Sequence, residues 1–362
     1  MSEADPEPAR RRRPRYRGTH PRRFEEKYKE HDPQRYAEDV AKVLAAGRTP
    51  AGSHRPILLA EVIAALAPRP GQVLVDCTLG YGGHARALLE LLVKNGGSGP
   101  PGRLLGLDAD PIELQRTRER LAALGYGPPV FEARRSNFAG LPQVLAELRI
   151  AGVDGLLADL GVSSMQLDDP QRGFSFKLDG PLDLRLNPSR APSGAQWLAK
   201  VSQRELAGAL KDHADEPEAD LLAAGLLRWR EQRPIARTTE LALAVRTILA
   251  QQRPRLEPER VELTVRRCFQ ALRIAVNDEL GALDRLLEAL PACLLPGGRA
   301  VLLSFHSGED RRIKQAFRKG LQTGLYRAIS ADVQRPSAAE QRDNPRSKSA
   351  KLRWAIRSDR AL

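Results

Sequence analysis

From His54 onward the chain alternates short apolar runs with amphipathic stretches. Leu58, Leu59, Val62, Ile63 and Leu66 recur at helical spacing, which predicts a helix over Ile57–Ala67 stopped by Pro68 and Pro70. Val73-Leu74-Val75 reads as a short buried strand, Ala85–Val93 as a helix, Leu104–Leu107 as a second strand and Ile112–Leu124 as the next helix. Gly155–Ala158 and Ala300–Ser304 are further strands. Apolar, unalternating strands separated by helices predict a parallel, doubly wound α/β sheet covered on both faces. Between about Asp179 and Arg267 that rhythm stops, and Ala195–Leu210, Asp220–Gln232 and Thr239–Gln252 all read as helices. It resumes with a helix over Phe269–Leu290. The chain therefore divides into an arm (1–49), a first part of the α/β core (50–178), an inserted helical domain (179–267) and a second part of the core with a basic tail (268–362). The arm opens with Pro6, Pro8 and the run Arg10–Arg13, lacks sustained apolar periodicity and has one candidate helix around Phe24–Val43.

Composition narrows this picture. Hydrophobic content of 41% suffices for a real core. No apolar run is long enough to cross a bilayer and no signal peptide is visible, so a cytoplasmic protein without membrane partners is expected. Cys77, Cys268 and Cys293 lie far apart without metal-ligand spacing; each is expected to be a small buried hydrophobe in a reducing compartment, and no metal is expected. The net charge of +13 is uneven: Arg311–Leu362 holds 14 Lys/Arg against 4 Asp/Glu, a surplus of +10. A polyanionic partner explains such a concentration, and simple solubility explains it as well.

Three segments carry candidate chemistry. Val73–His84 runs from a strand through Asp76-Cys77-Thr78-Leu79-Gly80-Tyr81-Gly82-Gly83 into a helix. Glycines there permit a tight turn and a close ligand, but the spacing is not the G-x-G-x-x-G of dinucleotide binders. The second strand ends in Asp108, where a carboxylate can accept bonds from two ribose hydroxyls; Asp110, just before Pro111, suits the helix N-cap. An adenosyl cofactor is favoured and a nicotinamide cofactor is the competitor. In the third segment Asp159 ends a buried strand at the same sheet edge, followed by Ser163 and Ser164, which lack a nucleophile elbow and suit loop hydrogen bonding. Arg172-Gly173-Phe174-Ser175-Phe176 mixes an arginine with two aromatics, which fits either stacked bases or local core.

These segments, together with His54–Leu59, Gly180–Asp183, Phe269–Ile274, Asn277–Leu280, Ser304–Ser307 and Asn344–Arg346, strongly resemble the RsmH (MraW) family over about His54 to Arg357, in order. The resemblance implies a class I S-adenosylmethionine-dependent methyltransferase sheet with an inserted helical substrate-recognition domain. It implies N4-methylation of a decoding-centre cytidine in small-subunit (16S) ribosomal RNA, with that RNA or the 30S subunit as partner. By motif matching, the cofactor contacts are Gly82, Gly83, His84, Asp108, Phe138, Asp159 and Gln166. Ser136-Asn137-Phe138 follows the third-strand region, where a ring can pack on adenine. The sequence departs from the family pattern at Cys77, at Gly308, at Leu263-Thr264-Val265 and at His213-Ala214-Asp215-Glu216.

For methyl transfer to an exocyclic amine, alignment supplies much of the barrier reduction, and a carboxylate stabilises charge developing on nitrogen. Asp159 is the catalytic candidate, though it can equally serve the cofactor alone. Rival readings are methylation of DNA, protein or another RNA, and a non-catalytic ribosome-assembly protein. In the tail, Leu352, Trp354 and Ile356 at period two predict an edge strand with Trp354 packed into the domain, and Arg346, Lys348 and Lys351 are the cations expected to face RNA.

Overall fold

The computed structural model describes residues 56–93, 101–190 and 192–359. The arm over 1–49 with its candidate helix, and His54 and Arg55, lie outside the described residues. Helix α1 (Leu59–Leu66) buries Val62 and Leu66 and stops at Ala67, before Pro68. Strand β1 (Val73–Asp76), helix α2 (Gly83–Val93), β2 (Arg103–Asp108), α3 (Pro111–Ala123), β3 (Phe131–Arg135), α4 (Leu141–Glu147) and β4 (Val153–Asp159) then alternate. The sheet has seven strands in the order β3-β2-β1-β4-β5-β7-β6. β1 to β5 pair in parallel, and β7 runs antiparallel between β5 and β6. The chain steps outward from β1 to β2 and β3, then returns to place β4 on the other side of β1. This reversal opens a crevice at the carboxyl ends of β1 and β4, where such sheets bind ligands.

Between β4 and β5 no strand occurs among the described residues. The chain forms α5 (Ser164–Asp168), α6 (Gly194–Lys200), α7 (Gln203–Ala214), α8 (Ala219–Gln232), α9 (Thr238–Gln252), α10 (Pro258–Asn277) and α11 (Glu279–Cys293). The apolar faces of α6 to α10 build a core from Phe174 to Leu272, distinct from the two cores that flank the sheet, whereas α11 packs Leu283, Leu286 and Leu290 into one of those two. Two expected helices are each broken in two. The one over Ala195–Leu210 is interrupted because Ser202 caps α7 in a reciprocal pair with Glu205. The one over Phe269–Leu290 is interrupted at Asp278, which takes a left-handed conformation (φ 51°) and ends α10.

The last part is β5 (Leu294–Ser304), α12 (Ser307–Gln322), β6 (Tyr326–Ile329), α13 (Ala338–Asp343) and β7 (Lys351–Arg357). β7 is a strand as its alternation suggested, but not an edge strand. β6, which the apolar pattern did not reveal, pairs along its outer side. Trp354 packs, half-buried, against the core on one sheet face. The three cysteines are buried and unbridged, as expected.

Candidate functional site

Three carboxylates stand at the ends of adjacent strands: Asp108 on β2, Asp76 on β1 and Asp159 on β4. Thr78 ties two of them together. Its amide donates to Asp76 Oδ1 (3.1 Å), and its hydroxyl accepts the Asp159 amide (2.6 Å). Asp108 receives the amides of Gly80 (2.7 Å) and Asp110 (2.8 Å), so its carboxylate is fixed edge-on beside the glycine turn. Gly82 sits in that turn at φ +80°, and a Cβ there would come within 2.6 Å of Thr117.

Burial raises all three acids above their ordinary range: Asp76 to about 7, Asp108 to about 6 and Asp159 to about 8. Mutual repulsion adds to burial, from Asp108 on Asp76 and from Asp76 and Glu309 on Asp159. No Lys or Arg among the described residues forms an ion pair with any of them. Asp159 Oδ1 is buried and has no hydrogen-bond partner. Its Oδ2 lies 3.7 Å from His84 Nδ1. The other ring nitrogen, Nε2, is 3.0 Å from the Ile57 carbonyl, which only accepts; Nε2 therefore carries the proton. Burial depresses the His84 pKa to about 4, so the ring is neutral and its bare Nδ1 faces the Asp159 carboxyl, which burial keeps protonated up to about pH 8. Concentrated buried acid without a counter-ion is unfavourable unless it binds protons or a cationic ligand.

The structure brings Gly82, Gly83, His84, Asp108 and Asp159 to one edge of the sheet. Phe138 lies just past β3, half-buried, and the Ser136 amide donates to the Asp108 carbonyl (3.0 Å), holding that loop beside β2. Gln166 is placed differently. Its Oε1 accepts the Ser163 amide (2.9 Å) in the cap of α5, and its Nε2 donates to Asp110 Oδ2 (2.9 Å). Asp110, fully buried, caps α3 as expected and also receives Arg172 Nη1 (2.6 Å). Arg172 Nη2 in turn holds the carbonyls of Arg185 and Leu186, both at 3.0 Å. Phe174 is buried and Phe176 packs on Phe269 (5.4 Å between centroids), so the two aromatics are local core rather than a stacking platform. Sequence reasoning missed Asp76 as a member of the acid cluster; it ends β1 paired with Gly106 and Leu157, two residues before Asp108 and Asp159, and its place as an acid at a strand end was the available signal.

The model of the MraW methylase family matches residues 51–358. The chain belongs to the MraW methylase family. Among MraW relatives, ribosomal RNA small subunit methyltransferase H 1 of Lachnoclostridium phytofermentans is 46% identical over 354 residues, covering 97% of this chain and 94% of that protein. Ribosomal RNA small subunit methyltransferase H 2 of Alkaliphilus metalliredigens is 46% identical, covering 97% and 99%. Ribosomal RNA small subunit methyltransferase H of Halorhodospira halophila is 44% identical over 323 residues, covering 85% and 95%. The 97% coverage takes the match with the first two well into residues 1–49. The sheet is thus the α/β methyltransferase architecture expected of an MraW methylase.

Proposed function

We propose that this chain transfers a methyl group from S-adenosylmethionine to N4 of a decoding-centre cytidine in small-subunit ribosomal RNA, in the cytoplasm. The observation that carries the reading is the cluster of Asp76, Asp108 and Asp159 at adjacent strand ends, with no Lys or Arg among the described residues paired to it. S-adenosylmethionine carries an ammonium and a sulfonium and fits such a site, whereas the pyrophosphate of a nicotinamide cofactor would be repelled by it. The unpartnered Asp159 Oδ1 fits as an acceptor still waiting for a donor. The names of the relatives favour ribosomal RNA as the substrate class.

Asp108, held by two backbone amides, keeps lone pairs for the ribose hydroxyls. Phe138 supplies an apolar face for adenine, and Gly82 and Gly83 let the cofactor approach the start of α2. His84 acts through Asp159, and Gln166 acts through Asp110. When bound, the cofactor supplies an electrophilic methyl group. Asp159 orients the target amine by accepting one of its N–H bonds and stabilises the charge that develops on nitrogen. Nucleoside mass spectrometry of ribosomal RNA from cells with and without the gene tests the reading. N4-methylation at one decoding-centre cytidine is expected to disappear, and its undiminished persistence would refute the assignment.

A further inference from the structure

Away from the acid cluster, the outer end of the sheet carries a concavity of its own. A groove of about 480 Å3 lies between α12 and the β6–β7 edge, lined by Lys314, Phe317, Arg318, Leu321, Ile329 and Arg353 among others. Its floor is rigid: Phe317 is buried and meets Tyr326 edge-on at 5.6 Å, and Gly320 has no room for a Cβ, which would come within 2.3 Å of the Tyr326 ring. Leu321 is 41% exposed at its rim, a large apolar side chain left in water.

Charge is distributed unequally along α12. Near its start, Arg311 pairs with Asp215 (3.8 Å) and Arg312 with Asp284 (3.1 Å). Further along, Lys314, Arg318 and Lys319 have no acidic partner among the described residues. Lys314 and Arg318 stand one turn apart on the same helix face, a like-charge spacing that disfavours the helix unless an anion lies across it. Arg353, held by Asp310 at 2.7 Å, forms the far wall.

We infer that this groove docks a nucleotide of the RNA strand that flanks the methylated base, with its phosphate on Lys314 and Arg318 and its sugar and base edge against Leu321 and Ile329. The inference rests on the proposed action on RNA and adds to it a second point of contact. Charge complementarity selects the occupant: unpaired cations beside an apolar floor match a nucleotide's phosphate and base together. Position makes it a flanking nucleotide and not the target. From β4, which carries Asp159, the sheet passes through β5 and β7 to β6, three interstrand steps or roughly 14 Å. That is the sideways separation alone: Ile329 is level with Leu156, three residues or roughly 10 Å before Asp159. α12 starts just past the end of β5 and runs back, with Arg318 roughly 16 Å from its first residue, so the groove suits a nucleotide several positions from the target.

The test uses the full-length protein, a small-subunit ribosomal RNA fragment containing the decoding centre, and S-adenosylmethionine as a separate ligand. Lys314→Gln with Arg318→Gln should weaken RNA binding about 10-fold or more at 0.15 M salt. The log–log salt dependence should flatten by roughly 0.7 per lost phosphate contact. Leu321→Gln should weaken RNA binding while leaving the salt slope unchanged. Melting temperature should not fall and cofactor affinity should stay at the wild-type value in both variants, since Lys314 and Arg318 have no acidic partner to lose among the described residues and Leu321 is exposed. RNA affinity and salt slope that match wild type in the double variant would overturn the groove assignment. A wild-type protein that binds no small-subunit RNA would instead refute the proposed function, and the groove assignment with it.

Discussion

Asp108 and Asp159 show how a residue's role follows from what already touches it. Asp108 is oriented by the amides of Gly80 and Asp110, yet two amides do not exhaust a carboxylate's acceptor sites. Replacing it with alanine should therefore weaken S-adenosylmethionine binding roughly 10- to 100-fold, the value of one or two charged hydrogen bonds, as read by calorimetry on a folded variant. The acid cluster also sets a pH dependence. Asp76, Asp108 and Asp159 are lifted from 3.8 to about 7, 6 and 8. Between those limits the folded, cofactor-free protein holds protons that the unfolded chain has released. Its stability should accordingly fall as pH rises from about 5 to 8, opposite to a salt-bridged carboxylate. Cofactor affinity should rise over the upper part of the same range, because a cation binds the ionised cluster. Asp159→Asn should flatten both trends, measured by thermal melting and by calorimetry at each pH.

At the scale of elements, the chain is held around the crevice by Asp110 and Arg172. Asp110 closes α3, receives Gln166 from α5, and grips Arg172, which fastens the carbonyls of Arg185 and Leu186 on the path into the helices. The Leu186 amide is taken in turn by Asn277 at the end of α10 (2.7 Å). Arg172→Leu would leave Asp110 buried with its charge partner removed, a change that costs about 3–5 kcal/mol. Urea denaturation should show that loss, and the Asp110→Asn, Arg172→Leu double variant should lose less than the sum of the singles. Two segments that depart from the family pattern also meet. Thr264 on α10 donates to Glu216 (3.4 Å), and Asp215 accepts the Ser307 hydroxyl at the start of α12 (2.5 Å). Both departures lie where helices between β4 and β5 touch each other or the start of α12.

At the scale of the whole molecule, much of the basic tail turns inward. Arg346 donates to the Ser164 carbonyl (3.1 Å) and to Asp168 (2.5 Å), clamping the tail onto the loop after β4, and Lys351 pairs with Asp310 (3.3 Å). These cations were expected to meet RNA; the fold gives Arg346 and Lys351 internal partners because Asp168 at the end of α5 lies against the turn before β7 and Asp310 on α12 lies against the first residue of β7. Replacing Arg346 and Lys351 together with glutamine should lower the melting temperature and leave the salt slope of RNA binding unchanged. A flatter slope with unchanged stability would return them to the RNA surface.

Periodicity alone located β1, β2, β4, α2 and α3, but not α4, because buried parallel strands are apolar throughout and α2 and α3 keep an apolar stripe over more than ten residues. The ordered motifs named the family, and Asp108 and Asp159 were legible as acids at strand ends. Periodicity did not reveal β3, whose Phe131-Glu132-Ala133-Arg134-Arg135 has one buried side chain, nor β6, where only Tyr326 is buried. The breaks at Ser202 and Asp278 escaped it because capping and a left-handed residue leave no mark on the apolar pattern. Tertiary structure alone decided that Asp76 joins the acid cluster, that Gln166 is engaged by Asp110, and that Arg346 and Lys351 have internal partners. Each of these depends on which residues, distant in sequence, share one small volume. Hydrophobic spacing fixes which face of an element is buried, whereas the partner of a buried charge is fixed only when the elements have packed.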